Sequence, residues 1–387
     1  MVSPITVSCA GSPHADAGLA GDQGGDRSGG VVAAWFFALA EQVDVDDNRG
    51  AVALFEVRVD EAGAGEVGAG DNAHADAAEG LRQLRLQVDL VTLLDNLERH
   101  LASADDWMPH EYVPWSEGRN FTLLGGEPWS PEQSGLSPIA RTALEVNLLT
   151  EDNLPSYHAE LCRTFGRGGA WRVWVNRWTA EEGRHAACIR DYLLVTRGTD
   201  PQRLERDRMA TLQAGFDSGG KPPLHACVYT SFQELATRVA HRNAGRYCED
   251  PVAERLLARI AMDEILHMIF YRNLVTAALE IAPSQTLRAI ADEVAGFAMP
   301  GVVIPGFARK AAQVAQAGIY DLRIHHDDVI IPLLRYWQIF DINGLDPEGE
   351  QARQDLAEIL EAQDAGAARF AERRELSTIR YTELNGS

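Results

Sequence analysis

The chain has 387 residues, 45% hydrophobic and 24% charged, which suits a folded protein with a large core and excludes a collagen-like or wholly disordered chain. Its formal net charge of −22 argues against a general nucleic-acid-binding surface, which needs cations in excess. Five cysteines (Cys9, Cys162, Cys188, Cys227 and Cys248) form no Cys-x-x-Cys pair, so neither a zinc ribbon nor a disulfide framework is expected, and a cytoplasmic location is.

The first 80 residues differ from the rest. They carry 13 of the 34 glycines, with 14 acidic residues against 3 basic ones. Stretches such as GDQGGDRSGG hold too little apolar surface to offset chain entropy. Residues 1–80 are therefore expected to be a disordered acidic extension, with one candidate strand at 51–59 (AVALFEVRV), ahead of a single domain over 81–387. The longest apolar run, Val31 to Ala40, is ten residues, against the roughly eighteen that a membrane helix needs. The acidic residues before it fit neither a signal nor a transit peptide.

From Leu81 onward the pattern is helical. Leu86, Leu90, Leu93, Leu94, Leu97 and Leu101 recur at three- and four-residue spacing and predict one apolar stripe. A loop rich in Pro and Trp runs from Trp107 to Pro138. Four long helical patterns follow, at about 139–165, 170–196, 224–247 and 251–281, then shorter ones near 286–298, 306–317, 327–341 and 349–376. Strand signals are scarce, so the fold class is all-α.

Two of the long helices carry Glu-x-x-His: Glu182 with His185, and Glu264 with His267. Spacing of i to i+3 puts both side chains of each pair on one helix face. One such pair is weak evidence, but here each is preceded, on the helix before it, by an acid inside an apolar pattern: Glu151 and Glu234. The intervals repeat as well: 83 residues from Glu151 to Glu234, and 82 from Glu182 to Glu264 and from His185 to His267. Two hairpins related by a pseudo-two-fold would bring four carboxylates and two imidazoles together, the ligand set of ferritin-like di-iron and di-manganese bundles. Four carboxylates neutralise two divalent ions inside a low-dielectric interior. Oxygen and nitrogen donors without thiolate suit iron, with manganese as a substitute. Hydroxylases, radical-generating subunits and iron-storage proteins share this set, so the ligands alone do not fix the reaction.

The segments WMPHEYVPWSEGRNF, TEDNLPSYH, WVNRWTAEEGRHAACIRDYL, SFQELATRVAHRN and DEILHMIFYRN resemble the soluble acyl-(acyl carrier protein) desaturases, most closely their actinobacterial branch. The resemblance runs from about residue 84 towards the C-terminus and does not include 1–80. It implies a ferritin-like di-iron helical bundle with additional C-terminal helices, in which Glu151, Glu182, His185, Glu234, Glu264 and His267 hold two iron ions. The implied reaction is oxygen-dependent insertion of a cis double bond into an acyl chain on acyl carrier protein (ACP), with a ferredoxin-type electron donor and a homodimeric enzyme. Gly183 departs from the family's usual Asn but is not itself a ligand.

Three residues near the ligands are assigned catalytic roles. Thr237 shares a face with Glu234, and the family places such a hydroxyl beside the oxygen-binding position. Asp263 is expected to orient His185, and Glu181 to do the same for His267, because a metal-bound imidazole gives its other N–H to an acceptor. Trp107 resembles the indole that, with this Asp, links the family's cluster to the surface. Trp178, Phe232, Tyr157 and Tyr229 are candidates for lining an acyl channel. His158, His241 and Cys188 read as structural, and Asp327 and Asp328, after His325 and His326, as the capping acids of a helix start. An acidic carrier needs a local basic surface. Arg203, Arg206 and Arg208 alternate with acids, which leaves Arg238 and above all Arg242 for that role.

Overall fold

The computed structural model describes residues 93–385, with side chains through Leu376. The expected extension at 1–80 and its strand at 51–59 lie outside the described residues. Within them the fold is helical, and a short capping signature starts three of the helices. Ser137, Asp200 and Asp250 each precede a proline and accept hydrogen bonds from the first free backbone N–H groups, opening α2 (Pro138–Asp152), α5 (Pro201–Ala214) and α7 (Pro251–Ile281).

The first helix, α1 (Leu93–Ser103), buries Leu93, Asn96, Leu97 and His100. Leu94 and Leu101, assigned by spacing to the apolar stripe, are instead 45% and 47% exposed. The buried face at i, i+3, i+4 and i+7 is part polar because it meets polar groups of the interior. The expected helix at 139–165 is two helices, α2 and α3 (Leu154–Phe165), joined at Asn153 ahead of Pro155. Next come α4 (Gly169–Val195), α6 (Pro223–Tyr247) and α7, within a residue of the expected spans. Helix α5 was legible only as an Arg-rich stretch: it buries just Leu204 and Thr211, too few for an apolar stripe.

Helices α2, α4, α6 and α7 form a closed ring in which each packs on two others. The α6–α7 hairpin turns through Cys248–Asp250, and Gly245 lets the two backbones close up there. A Cβ at that position would stand 3.2 Å from Glu254 Cα and Leu257 Cβ. Around the ring, α1 covers α4 and α7, while α3 lies on α4 and α6. The C-terminal part is α8 (Pro283–Gly296), α9 (Phe307–Gln316), α10 (Leu322–His325), a π-helical segment (His326–Ile330), α11 (Ile331–Tyr336) and the long α12 (Pro347–Asn385). This replaces the single helix expected at 327–341. Pro332 has no N–H for an α-helical bond to Asp328, and Ile331 N–H bonds to His326 O across a π turn. The cap is Asp321, which accepts from Ile324 N at 2.9 Å; Asp327 and Asp328 lie inside the π segment.

The apolar core is in two parts. One is built on Trp174, Phe232, Phe270 and Leu274, the other on Leu144, Leu148, Ile189 and Leu257. The same four ring helices supply buried acids and histidines, which have no place in either apolar cluster.

Candidate metal centre

Each ring helix contributes to one buried polar cluster. Glu151 comes from α2, Glu182 and His185 from α4, Glu234 from α6, and Glu264 and His267 from α7. All six are at most 5% exposed. Their donor atoms form two groups, Glu151–Glu182–His185–Glu264 and Glu182–Glu234–Glu264–His267, each spanning no more than 4.8 Å. Glu182 and Glu264 belong to both. Two carboxylates shared between two sites, each with a further carboxylate and an imidazole, form a cradle for a pair of ions.

Both imidazoles face the cluster with Nδ1. His185 Nδ1 lies 3.1 Å from Glu182, 3.3 Å from Glu264 and 3.6 Å from Glu151. His267 Nδ1 lies 2.8 Å from Glu182 and 3.7 Å from Glu234. The outward Nε2 of His185 meets Asp263 at 3.3 Å, and that of His267 meets Glu181 at 3.0 Å. Burial pushes both acids up, but the histidines and other donors around them outweigh it and hold their pKa values well below the usual range. As anions they accept Nε2–H and leave the Nδ1 lone pair for the cluster.

The donor set fits metal ions. Glu182 Oε1, Glu234 Oε2, Glu264 Oε1 and His267 Nδ1 are buried and make no well-directed hydrogen bond, although His267 Nδ1 and Glu182 Oε1 lie 2.8 Å apart. Buried polar atoms seldom go unsatisfied, and four of them converging in one cluster point to a ligand common to all. Burial raises the pKa of Glu182, and burial with the charge of Glu182 carries Glu264 well above the carboxylate range. Burial alone would discharge the two histidines, yet the surrounding carboxylates raise their pKa values well above the ordinary. Protons thus supply the positive charge that divalent ions would supply on binding.

The second layer repeats the pseudo-symmetry. Trp107 Nε1 donates to Asp263 at 2.8 Å, and on the other side His100 Nε2 meets Glu181 at 2.8 Å. Arg177 and Arg259, each four residues before its acid, pair with Glu181 and Asp263, and Arg184 donates to Asp263 at 3.1 Å. The guanidinium groups of Arg184 and Arg259 lie over the Trp107 ring. Sequence reasoning missed His100, whose only signal was its i+7 spacing from Leu93.

His241 is a correction. It reads as structural from its place two turns beyond Glu234, yet Nε2 meets Glu151 at 2.8 Å while Nδ1 meets Asn147 at 3.1 Å. Seven residues carry it about 10 Å along α6, which brings it alongside α2, a neighbour that spacing within one helix does not reveal. His158 bonds Thr179 and Cys162 away from the cluster, and Cys188 is fully buried. Thr237 Oγ1 donates to Gln233 O at 2.6 Å, and its side chain borders two cavities. The smaller, about 70 Å³, is lined by Tyr157, Trp178 and Tyr229; the larger, about 180 Å³, reaches Phe297 and His325. They share Thr150, Glu151 and Thr237. Phe232 lines neither and packs edge-on against Trp337 in the core.

The model of the family described as fatty acid desaturase matches residues 86–383. The chain belongs to the fatty acid desaturase family. A relative from Mycobacterium tuberculosis named as an acyl-ACP desaturase, DesA1, is 45% identical over 299 residues, covering 75% of this chain and 88% of the relative. A chloroplastic palmitoyl-ACP 4-desaturase of Ophrys sphegodes is 29% identical, covering 69% of this chain and 76% of its own length. The X-ray structure of DesA2 from Mycobacterium tuberculosis superposes with a TM-score of 0.57 at 32% identity, covering 70% of this chain and 99% of that one. The expected all-α, ferritin-like desaturase fold and the acyl-ACP desaturase family are borne out. No helix among the described residues of this desaturase is long and apolar enough to cross a membrane.

Proposed function

We propose that the protein inserts a cis double bond into a long acyl chain carried on ACP, using oxygen and two iron ions. The observation that carries this reading is the pair of buried carboxylate–histidine groups sharing Glu182 and Glu264, in a chain of the desaturase family. Glu151, Glu182, His185 and Glu264 would hold one iron, and Glu182, Glu234, Glu264 and His267 the other. Reduced iron supplies the oxygen chemistry that an unactivated C–C bond requires. The protein's own part is position and exclusion. Asp263 and Glu181 hold the imidazoles, and the apolar walls of the two cavities keep water away and keep the chain extended past Glu151.

Trp107 is the reading's link to the electron donor, for which we propose a ferredoxin-type protein. The indole is buried, touches Asp263 directly, and adjoins Met108, which is 43% exposed. Thr237 is assigned to handling protons beside the cluster, on the strength of its place between the cavities. Arg203 and Arg208 are already committed to Glu145, Asp152 and Glu205, whereas Arg238 and Arg242 form no ion pair among the described residues. Arg242 follows His241, a wall residue of the larger cavity, so a carrier docked there could feed its chain towards the irons. Residues 1–80 form a separate acidic extension in this reading, the enzyme is a cytoplasmic homodimer, and iron is its working metal.

Incubation with long-chain acyl-ACP, reduced ferredoxin and oxygen, followed by gas chromatography and mass spectrometry of the released chain, tests the proposal. A cis-monounsaturated product that requires both oxygen and reductant is expected. A hydroxylated product, or none from iron-loaded protein, would overturn it.

A further inference from the structure

His325 stands at the end of α10, in the wall of the larger cavity, and is 5% exposed. Its ring is fixed from two sides. Tyr320 Oη lies 2.8 Å from Nδ1, and Phe297 stacks on the ring at 4.5 Å with 27° between planes. The other nitrogen, Nε2, is buried and has no partner. Neighbouring polar side chains of the same wall have theirs: Asn147 with His241, Thr237 with Gln233, and Asp321 with Ile324 N and Arg374. An unpartnered buried nitrogen costs stability, so its retention in a wall whose other named polar groups are paired calls for a ligand.

The nature of that ligand follows from the tautomer. Burial, with the adjacent His326, pushes the pKa of His325 down to about 3, so the ring is neutral at physiological pH. Burial, with the charges of Asp321 and Asp328, raises that of Tyr320 well above its usual value, so the phenol keeps its proton. Among the described residues His325 Nδ1 is the one acceptor within reach of the Tyr320 hydroxyl, so the phenol donates to it, and the ring proton is left on Nε2, which must then seek an acceptor. An acyl chain has no acceptor along its hydrocarbon. Acceptors begin at the thioester carbonyl and continue with the amide carbonyls of the carrier arm.

Resting on the function proposed above, we propose that His325 is a specificity-determining residue: its Nε2–H binds a carbonyl oxygen of the thioester-linked carrier arm and sets which C–C bond lies beside the metal centre. The layout suits this role. His325 lines the same cavity as Glu151 and Thr237, and those two residues also line the smaller cavity, with Tyr157, Trp178 and Tyr229. One hydrogen bond at the carbonyl end, followed by a mostly apolar wall, counts carbons from a fixed origin. Without it the chain could slide by a carbon at little cost, since every methylene resembles the next.

The test compares wild type with His325→Phe and His325→Gln, each checked for helicity by circular dichroism and for wild-type iron content. Dissociation constants are measured for acyl-ACP and for an alkyl-ACP whose thioether lacks the thioester carbonyl, and double-bond position is read by mass spectrometry. His325→Phe is expected to weaken acyl-ACP binding roughly tenfold and to spread the double bond over adjacent positions. His325→Gln, which keeps an N–H donor, should retain more of both properties. If the thioester carbonyl is the partner, wild type and His325→Phe bind the thioether equally; if an amide is, the tenfold difference persists. A folded His325→Phe with unchanged affinity and one unchanged double-bond position overturns the inference. Absence of unsaturated product from wild type would instead overturn the function, and the binding comparison would still decide the role of His325.

Discussion

Replacing Glu182 by Gln should remove both metals, whereas Glu234→Gln should remove one. Glu182 lies in both donor groups and Glu234 in a single one, although both are buried and nearly isosteric with the amide. A unit charge about 4 Å from another contributes on the order of 4 kcal/mol at an effective dielectric of 20, which is about a thousandfold in affinity. At a shared carboxylate that loss falls on both ions; at a terminal one it falls on the ion beside it. The substitution takes a negative charge from a crowded set of four carboxylates, so the metal-free fold should persist with unchanged far-ultraviolet circular dichroism. Iron per chain, measured by plasma mass spectrometry after desalting, should fall from two to near zero for Glu182→Gln and to about one for Glu234→Gln. Two irons at wild-type affinity in Glu182→Gln, or equal losses in both variants, would refute the shared-carboxylate reasoning.

Other substitutions probe the surroundings. Gly183 faces outward in mid-helix, and a Cβ there would meet only Leu154 Cδ2 at 3.9 Å. Gly183→Ala should therefore stabilise the fold by about 0.5–1 kcal/mol, seen as a small rise in Tm with iron content unchanged. His241→Leu removes the partner of Glu151 Oε1 and should weaken one iron by about 10- to 100-fold, leaving the other in place in a stepwise titration. Trp107→Phe keeps the ring but loses the N–H donor to Asp263; it should retain two irons while reduction by the donor slows, as read by stopped-flow absorbance. Arg242→Glu should raise the KM for acyl-ACP several-fold at low salt and much less at high salt, where screening has removed the attraction.

Periodicity and spacing made much of this legible. Glu-x-x-His on two helices, with acids 31 and 30 residues before the Glu of each pair, is a pattern written along the chain, and each ring helix carries its own share of it. The contacts of Asp263 with His185 and of Glu181 with His267 were legible too, because each acid adjoins a Glu-x-x-His pair in sequence. His100 and His241 were not. Each meets the site across a helix–helix contact, and periodicity within one helix says nothing about which neighbour faces it. His325 was hidden by its setting, since a His-His-Asp-Asp run looks like a helix start. The actual cap, Asp321, lies four residues earlier, and the π turn depends on Pro332 further on. Helix α5 escaped because it lies on the surface of α2 and buries only two side chains.

A single-turnover experiment tests the central claim most directly. The protein is loaded with iron, chemically reduced under argon, mixed with long-chain acyl-ACP and exposed to oxygen, with no protein electron donor present. The account predicts a cis-monounsaturated chain approaching one per pair of irons, and none from the iron-depleted Glu182→Gln variant. Unsaturated product from that variant, or fully loaded and reduced protein that consumes oxygen and leaves the acyl chain saturated, would contradict it.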